Sequence, residues 1–384
     1  MKVLLVNHLL DAVSGGGTAE RTYQLARFLA AAGVDCTLLA LDIGVTAERR
    51  AGLGAAKLVA VPCRNERFFV PHLSRAELDR LVAAADVVHL SGHWTLLNAR
   101  VFAACRRLGK PYLFCPAGAL TPFGRSLWLK RAYDASVGKR IVAAAARCVA
   151  ITADERGDFA ARGVSAARVA VIPNGIDPQQ YRLADPAREV AEFRATHGIG
   201  DAPFVLFLGR LNAIKGPDLL LDAFAEVAER FPTHRLVFAG PDGGLREALA
   251  ARARAAGLSE RVHFAGFVGG DAKAAALRAA SLLAIPSRRE AMSIVVLEAG
   301  ACGCPVLFTD TCGLSDIAQA GAATMVAADA AAIAAGLAGA LADPVALAQA
   351  ADRLAAIVAR DYLWSVQAGR YAALCGEVIA EATR

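Results

Sequence analysis

The sequence predicts an α/β chain of two doubly wound domains, each a parallel sheet, with their strand ends facing one cleft. Three observations predict it. Short apolar runs alternate with helical stretches, the pattern of parallel strands joined by crossover helices. That alternation occurs twice, on either side of a segment rich in Pro, Asp, Arg and Gly, residues 174–202. The chain has 384 residues, 56% of them hydrophobic and only 20% charged, enough to fill about two or three cores.

In the first half, strands are expected near 2–7, 35–41, 57–61, 85–90, 111–115, 146–151 and 168–172. Lys2-Val-Leu-Leu-Val6 runs directly into Asn7-His8 and is too short for a signal-peptide core, so it reads as a first strand. Ser14-Gly15-Gly16-Gly17-Thr18 follows it and is expected to precede a helix carrying Leu25, Phe28 and Leu29. Three glycines free the backbone to approach a phosphate at a helix N-terminus; a flexible turn explains them equally well. In the second half, strands are expected near 204–209, 235–240, 262–265, 281–285, 305–309 and 323–326. Phe204 to Leu208 is a continuous apolar run, as in a strand buried on both faces. Pro217 suits the first turn of the next helix, whose apolar positions are Leu220, Phe224, Val227 and Phe231.

The second half carries the chemistry. Arg210 and Lys215 fall just past the Phe204–Leu208 run, and Glu290 and Glu298 follow the 281–285 strand. Cations at a strand end can hold a diphosphate, and carboxylates there can accept from sugar hydroxyls. Taken alone, Arg210 and Lys215 read equally as solvated loop charges. Glu298 stands within Ile294-Val-Val-Leu-Glu298-Ala-Gly-Ala-Cys-Gly-Cys-Pro305, where a carboxylate is costly to bury without a partner. Gly303 is expected to end that helix.

These elements resemble the retaining family 4 glycosyltransferases of GT-B fold. The resemblance runs through Gly209-Arg210…Lys215-Gly216, Ala239-Gly-Pro-Asp-Gly-Gly244, His263-Phe-Ala-Gly-Phe-Val268, Pro286-Ser-Arg-Arg-Glu290 and Leu297-Glu-Ala-Gly-Ala-Cys-Gly-Cys-Pro-Val306. Upstream, Val171-Ile-Pro-Asn-Gly-Ile-Asp177 is similar to the family's interdomain segment. The resemblance implies two Rossmann-like domains. Residues 1–175 would bind the acceptor, 176–202 would connect, 203–362 would bind a nucleotide sugar, and 363–384 would form a helix crossing back. It implies that Arg210 and Lys215 bind the diphosphate and that Glu290 contacts the donor sugar, helped by the amides of Ala291, Met292 and Ser293 beside Ile294. Glu298 would hold the ribose, Gly266, Phe267 and Val268 the base, and Gly209, Gly16 and Gly17 would approach the donor phosphates. The donor's base and sugar stay open.

Two departures stand on the acceptor side. Many relatives have a second His in a His-x-His-Gly segment, where this chain reads His89-Leu90-Ser91-Gly92-His93-Trp94. Many also have a His before the Gly of the next strand-end loop, where it reads Cys115-Pro116-Ala117-Gly118. His93, Trp94 and Gly118 are the acceptor-side candidates; His93 reads equally as a hydrogen-bonded structural residue. A nucleotide-sugar epimerase or hydrolase of the same fold, or a catalytically silent nucleotide-sugar binder, stays open beside transfer.

No Asp-x-Asp clamp and no zinc-type spacing occurs, so no metal is expected, and no cofactor beyond the donor substrate. Nine scattered cysteines read as reduced core thiols, and no apolar stretch is long enough to span a bilayer, so a cytoplasmic location is expected. The expected partners are a nucleotide sugar and a saccharide or lipid-linked saccharide of the cell envelope; nucleic acid has no motif support. Net charge is +6. Segment 125–147 gathers Arg125, Lys130, Arg131, Lys139, Arg140 and Arg147 around Leu127, Trp128, Leu129, Tyr133, Val137 and Ile141. It reads either as a solvated basic face over a packed stripe or as peripheral contact with the inner face of the membrane.

Overall fold

The structure is a computed structural model. It describes residues 1–384 apart from Phe123 and Arg125, and gives the backbone only for residues 12–14. Arg125 of the basic segment therefore lies outside the described residues. The chain divides into two compact units, 1–175 with 364–384, and 176–363.

The first unit is built on a seven-stranded parallel sheet. Its strands are β1 (Lys2–Val6), β2 (Asp35–Leu41), β3 (Lys57–Val61), β6 (Val87–Ser91), β7 (Tyr112–Cys115), β8 (Arg147–Ala150) and β9 (Val169–Val171). The order is β3-β2-β1-β6-β7-β8-β9, so strand order reverses between β1 and β6. Leu4, Val6, Leu39, Val88, Leu90, Phe114 and Cys148 are buried in its core. A small antiparallel ribbon, β4 (Cys63–Asn65) with β5 (Val70–Pro71), was not anticipated. Two- and three-residue strands carry too little pattern to stand out.

The glycine run differs from expectation. The helix spans Ala12–Ala31 and already includes it, and the break comes at Gly16, with φ 58° and ψ −150°. A Cβ on Gly15 would stand 2.6 Å from the Ala19 Cβ, so close packing needs glycine there. Further along this helix Arg21 is buried, 2% exposed. Its guanidinium donates to Asn174 Oδ1 at 2.5 Å, the Ile172 carbonyl at 2.9 Å and Tyr371 Oη at 2.7 Å. Those bonds tie the helix to the end of the unit's first segment and to the C-terminal helix Trp364–Ala382.

The second unit has a six-stranded parallel sheet. Its strands are β10 (Phe204–Leu208), β11 (Arg235–Ala239), β12 (Val262–Gly266), β13 (Leu282–Ile285), β14 (Val306–Thr309) and β15 (Thr324–Val326), ordered β12-β11-β10-β13-β14-β15. Strand order reverses between β10 and β13. Val205, Phe207, Phe224, Leu236, Phe238, Leu282 and Leu307 form its core. Residues 176–202, expected as the interdomain connection, hold a 3₁₀ turn Pro178–Tyr181 and a helix Pro186–Thr196 within this unit. Asp185 caps that helix and Pro186 opens it. The helix begun by Pro217 ends at Val227, short of Phe231.

Within segment 125–147, Leu127–Tyr133 and Lys139–Ala144 are joined by the π-helical turn Asp134–Gly138 into one helical run. Trp128 is 72% exposed, whereas Tyr133 and Val137 pack against the core and Ile141 and Val142 are buried in it. Tyr133, Val137 and Ile141 thus form a packed stripe, and Leu127, Trp128 and Leu129 lie outside it. Among the described residues no single helix is long and apolar enough to cross a membrane. All nine cysteines are free and eight are buried.

Candidate active site

In open α/β sheets, ligands bind beyond the strand C-termini where strand order reverses. In the second unit the loops at that point follow β10 and β13. The first carries Arg210 and Lys215, the second Glu290.

The β10 loop is held by backbone packing. Gly209 N donates to the Ala239 carbonyl at 2.9 Å, and Leu211 N to the Pro241 carbonyl at 3.0 Å. A Cβ on Gly240 would meet the Gly209 carbonyl oxygen at 1.9 Å, so only glycine lets the β11 loop pass. Asn212 closes the turn, its carbonyl and side-chain oxygens both accepting from Lys215 N, at 3.1 and 3.0 Å. Gly216, at φ 66°, would place a Cβ 2.0 Å from the Pro286 carbonyl oxygen, which brings the β10 and β13 loops into contact. Arg288 adds a second tie: its guanidinium binds Asp218 at 2.8 and 2.6 Å, and its backbone N–H donates to the Ile214 carbonyl at 2.8 Å.

This packing joins Lys215 to Glu290. Lys215 Nζ lies 2.7 Å from Glu290 Oε1, which also accepts from Ser287 Oγ at 2.6 Å. Arg210 is exposed and has no ion-pair partner among the described residues. The site thus offers one open guanidinium and one ammonium held by a carboxylate. An arriving diphosphate can draw on both charges. Glu290 N donates to the Thr311 carbonyl and Ser293 N to the Cys312 carbonyl, each at 3.1 Å. The Ser293 amide, expected to face the donor, is therefore engaged within the fold. Met292 and the Ser293 side chain are buried, and Ile294 begins the helix Ile294–Cys302, which Gly303 ends at φ 69°.

Glu298 lies in the second turn of that helix, 8% exposed. Its Oε1 accepts from Tyr181 Oη at 2.7 Å and Lys273 Nζ at 2.8 Å. Neither partner was anticipated: a lone lysine in a helix and a tyrosine in a turn leave no pattern to read. Lys273 belongs to the helix Gly270–Ala279, which follows the loop of Gly266, Phe267 and Val268 after β12. Phe267 is 78% exposed and Val268 is buried. Glu298 is therefore linked through Lys273 to the helix that starts at the Phe267 loop. Through its own helix it follows Glu290.

The acceptor-side candidates stand at the corresponding edge of the first unit. Gly92 and Trp94, after β6, have φ of 75° and 52°; Ala117 and Gly118, after β7, have 50° and 82°. Left-handed backbone on Trp94 and Ala117 is costly and clusters at functional loops. His93 is buried, with Nε2 2.8 Å from Asp134 Oδ1, which also accepts from Trp94 Nε1 at 3.1 Å. Burial lowers the His93 pKa while Asp134 pulls it back up. Gly118 N donates to buried Glu155, which also accepts from Ile151 N at 2.6 Å. Gly16 and Gly17 are exposed in this unit. Among the described residues no group of three His, Cys, Asp or Glu could hold a metal.

The chain is similar to known proteins. Residues 189–356 match the family profile described as glycosyl transferases group 1, and residues 15–180 match glycosyltransferase family 4. A D-inositol 3-phosphate glycosyltransferase of Frankia alni is 31% identical over 335 residues, which is 78% of this chain and 79% of that one. One from Nocardia farcinica is 39% identical over 191 residues, 48% of this chain, and this match spans only 42% of the relative. Among solved structures, Anabaena HepE in complex with UDP and glucose superposes with a TM-score of 0.80 at 18% identity, covering 98% of this chain and 100% of that one. Sucrose-phosphate synthase of Thermosynechococcus elongatus superposes with a TM-score of 0.76 at 21% identity, covering 99% and 100%.

Proposed function

Because this chain belongs to the family 4 glycosyltransferases, of group 1 type and GT-B fold, we propose that it moves a sugar from a nucleotide sugar with retention of anomeric configuration and without a divalent metal. The observation that carries the reading is the Lys215–Glu290 pair beside open Arg210, at the point where strand order reverses. Arg210 and Lys215 bind the diphosphate and stabilise its charge as it leaves. Glu290 accepts from the sugar's hydroxyls, Glu298 from the ribose, and Phe267 offers its ring to the base. The bond from the anomeric carbon to the diphosphate breaks, and the acceptor oxygen bonds to that carbon from the same face. A leaving-phosphate oxygen takes the acceptor's proton, so no separate side-chain base is required.

The acceptor is a saccharide or lipid-linked saccharide, bound at the β6 and β7 loops by His93, Trp94 and Gly118. Relatives named for D-inositol 3-phosphate add that compound to the panel. Exposed Leu127, Trp128 and Leu129, with Lys130, Arg131, Lys139 and Arg140, form the surface that rests on an anionic membrane when the acceptor is lipid-linked.

The test is product analysis with UDP- and GDP-sugars, each offered D-inositol 3-phosphate and lipid-linked saccharides, with and without EDTA. Proton NMR of the new linkage is expected to show the donor's anomeric configuration, at a rate unchanged by chelator. Inverted product, or loss of activity restored by magnesium, overturns the mechanism. Free altered sugar without transfer overturns the proposed transfer reaction for the donors and acceptors offered.

A further inference from the structure

A carboxylate oxygen has two lone pairs in its plane, so two good donors fill it. Glu298 Oε1 has two, Tyr181 Oη at 2.7 Å and Lys273 Nζ at 2.8 Å. Oε2 receives no hydrogen bond among the described residues. Lys273 also stands 5.3 Å from the centre of the Tyr181 ring, so the two donors brace one another. Tyr181 is buried, which fixes its hydroxyl. A carboxylate on a free side chain would present either oxygen and lose rotamer freedom on binding. Here that freedom is already removed, and only one oxygen is left with acceptor capacity.

We infer that Tyr181 and Lys273 are positioning residues that fill one oxygen of Glu298 and reserve the other for the ribose hydroxyls of the nucleoside diphosphate. The inference rests on the reading of Glu298 as the ribose acceptor. The placement fits it: Lys273 stands in the first turn of the helix that follows the Phe267 loop, and Glu298 stands in the helix that follows Glu290. A ribose joins base to diphosphate, and Glu298 is tied by a hydrogen bond to the helix after one loop and by the chain to the other. Tyr181 comes from the 3₁₀ turn Pro178–Tyr181, so this turn contributes to ribose recognition although it follows no strand end of the second sheet.

The test compares UDP and GDP with their 2′,3′-dideoxy forms by calorimetry, using the full chain, wild type and the Tyr181→Phe and Lys273→Met variants. Wild type is expected to bind the ribose form of its preferred nucleotide roughly tenfold or more tighter than the dideoxy form. In either variant the ratio is expected to contract to within about threefold, through weaker binding of the ribose form alone. A merely structural role would weaken both forms together and leave the ratio standing. If wild type shows no ratio, the ribose reading of Glu298 falls and takes the inference with it. If wild type shows the ratio and both variants keep it, the inference is overturned and the ribose reading stands. Tyr181→Phe keeps the ring and Lys273→Met keeps the stem, so either variant decides the matter should the other fail to fold by circular dichroism.

Discussion

At the scale of single residues, the pairing of Lys215 with Glu290 sets what each substitution does. Removing either cation deletes a charge-assisted contact that strengthens as the diphosphate leaves, so Lys215→Ala or Arg210→Ala is expected to cut transfer on the order of 100-fold or more. Near wild-type turnover in a folded variant would remove the clamp. Glu290→Gln releases Lys215 from its 2.7 Å partner. It is therefore expected to hold or tighten affinity for the bare diphosphate while lowering turnover with the intact donor. Glu298→Gln is expected to weaken the bare diphosphate itself; calorimetry showing the opposite order exchanges the two roles. His89 bears on stability instead. His89 is fully buried against Tyr371 and Ser91, and burial, with Arg21 adding, lowers its pKa to about 3. The folded chain thus keeps His89 neutral, while the unfolded chain takes up a proton near pH 6.5. Its favourable contribution is complete above pH 6.5 and is lost as pH falls toward 3, by up to about 1.4 kcal/mol per pH unit. His89→Asn is expected to flatten the fall in urea stability between pH 7.5 and 5 relative to wild type, and equal slopes would contradict the assignment.

At the scale of elements, the two glycines that bring loops together are distinct from those that merely turn. Gly240, at φ 145°, faces the Gly209 carbonyl, while Gly244, at φ 99°, has open space around its missing Cβ. Gly240→Ala is expected to cost about 2 kcal/mol or more and to displace the Arg210 loop. Gly244→Ala carries backbone strain alone and is expected to cost about 1–2 kcal/mol. Urea midpoints compare them, and equal costs would mean that the close approach contributes nothing. The strands themselves were legible in the sequence because each is a short apolar run bounded by breakers, and buried parallel strands must be apolar on both faces. The β4–β5 ribbon was not, being too short to carry a period. The helix break at Gly16 was read as a turn before the helix, because a glycine run marks a left-handed residue without saying which one adopts it.

At the scale of the whole molecule, the nine cysteines report on how completely both cores are packed. Eight are buried, and burial pushes Cys36, Cys105 and Cys148 up to about 12 and Cys302 to about 11. Cys63, on β4, alone is partly exposed. Titration of the native protein with an aromatic disulfide is expected to release one equivalent quickly and the rest only in denaturant. Several fast equivalents, or none after Cys63→Ser with unfolding intact as a control, would respectively contradict and support that packing.

The sequence alone determined the α/β architecture, the strands of both parallel sheets and the place of Arg210, Lys215 and Glu290 in loops after strands, because periodicity and breakers are local properties. Glu298 was legible as an ionisable group in an apolar run, and Arg210 and Lys215 as cations after a buried strand. Only the tertiary structure decided that Lys215 pairs with Glu290, that Asp134 holds His93 and Trp94, and that Tyr181 and Lys273 fill one oxygen of Glu298. Those partners are separated by 25 to 117 positions. Strand order brings them together, and no local pattern in the chain encodes which long-range neighbours a side chain will meet.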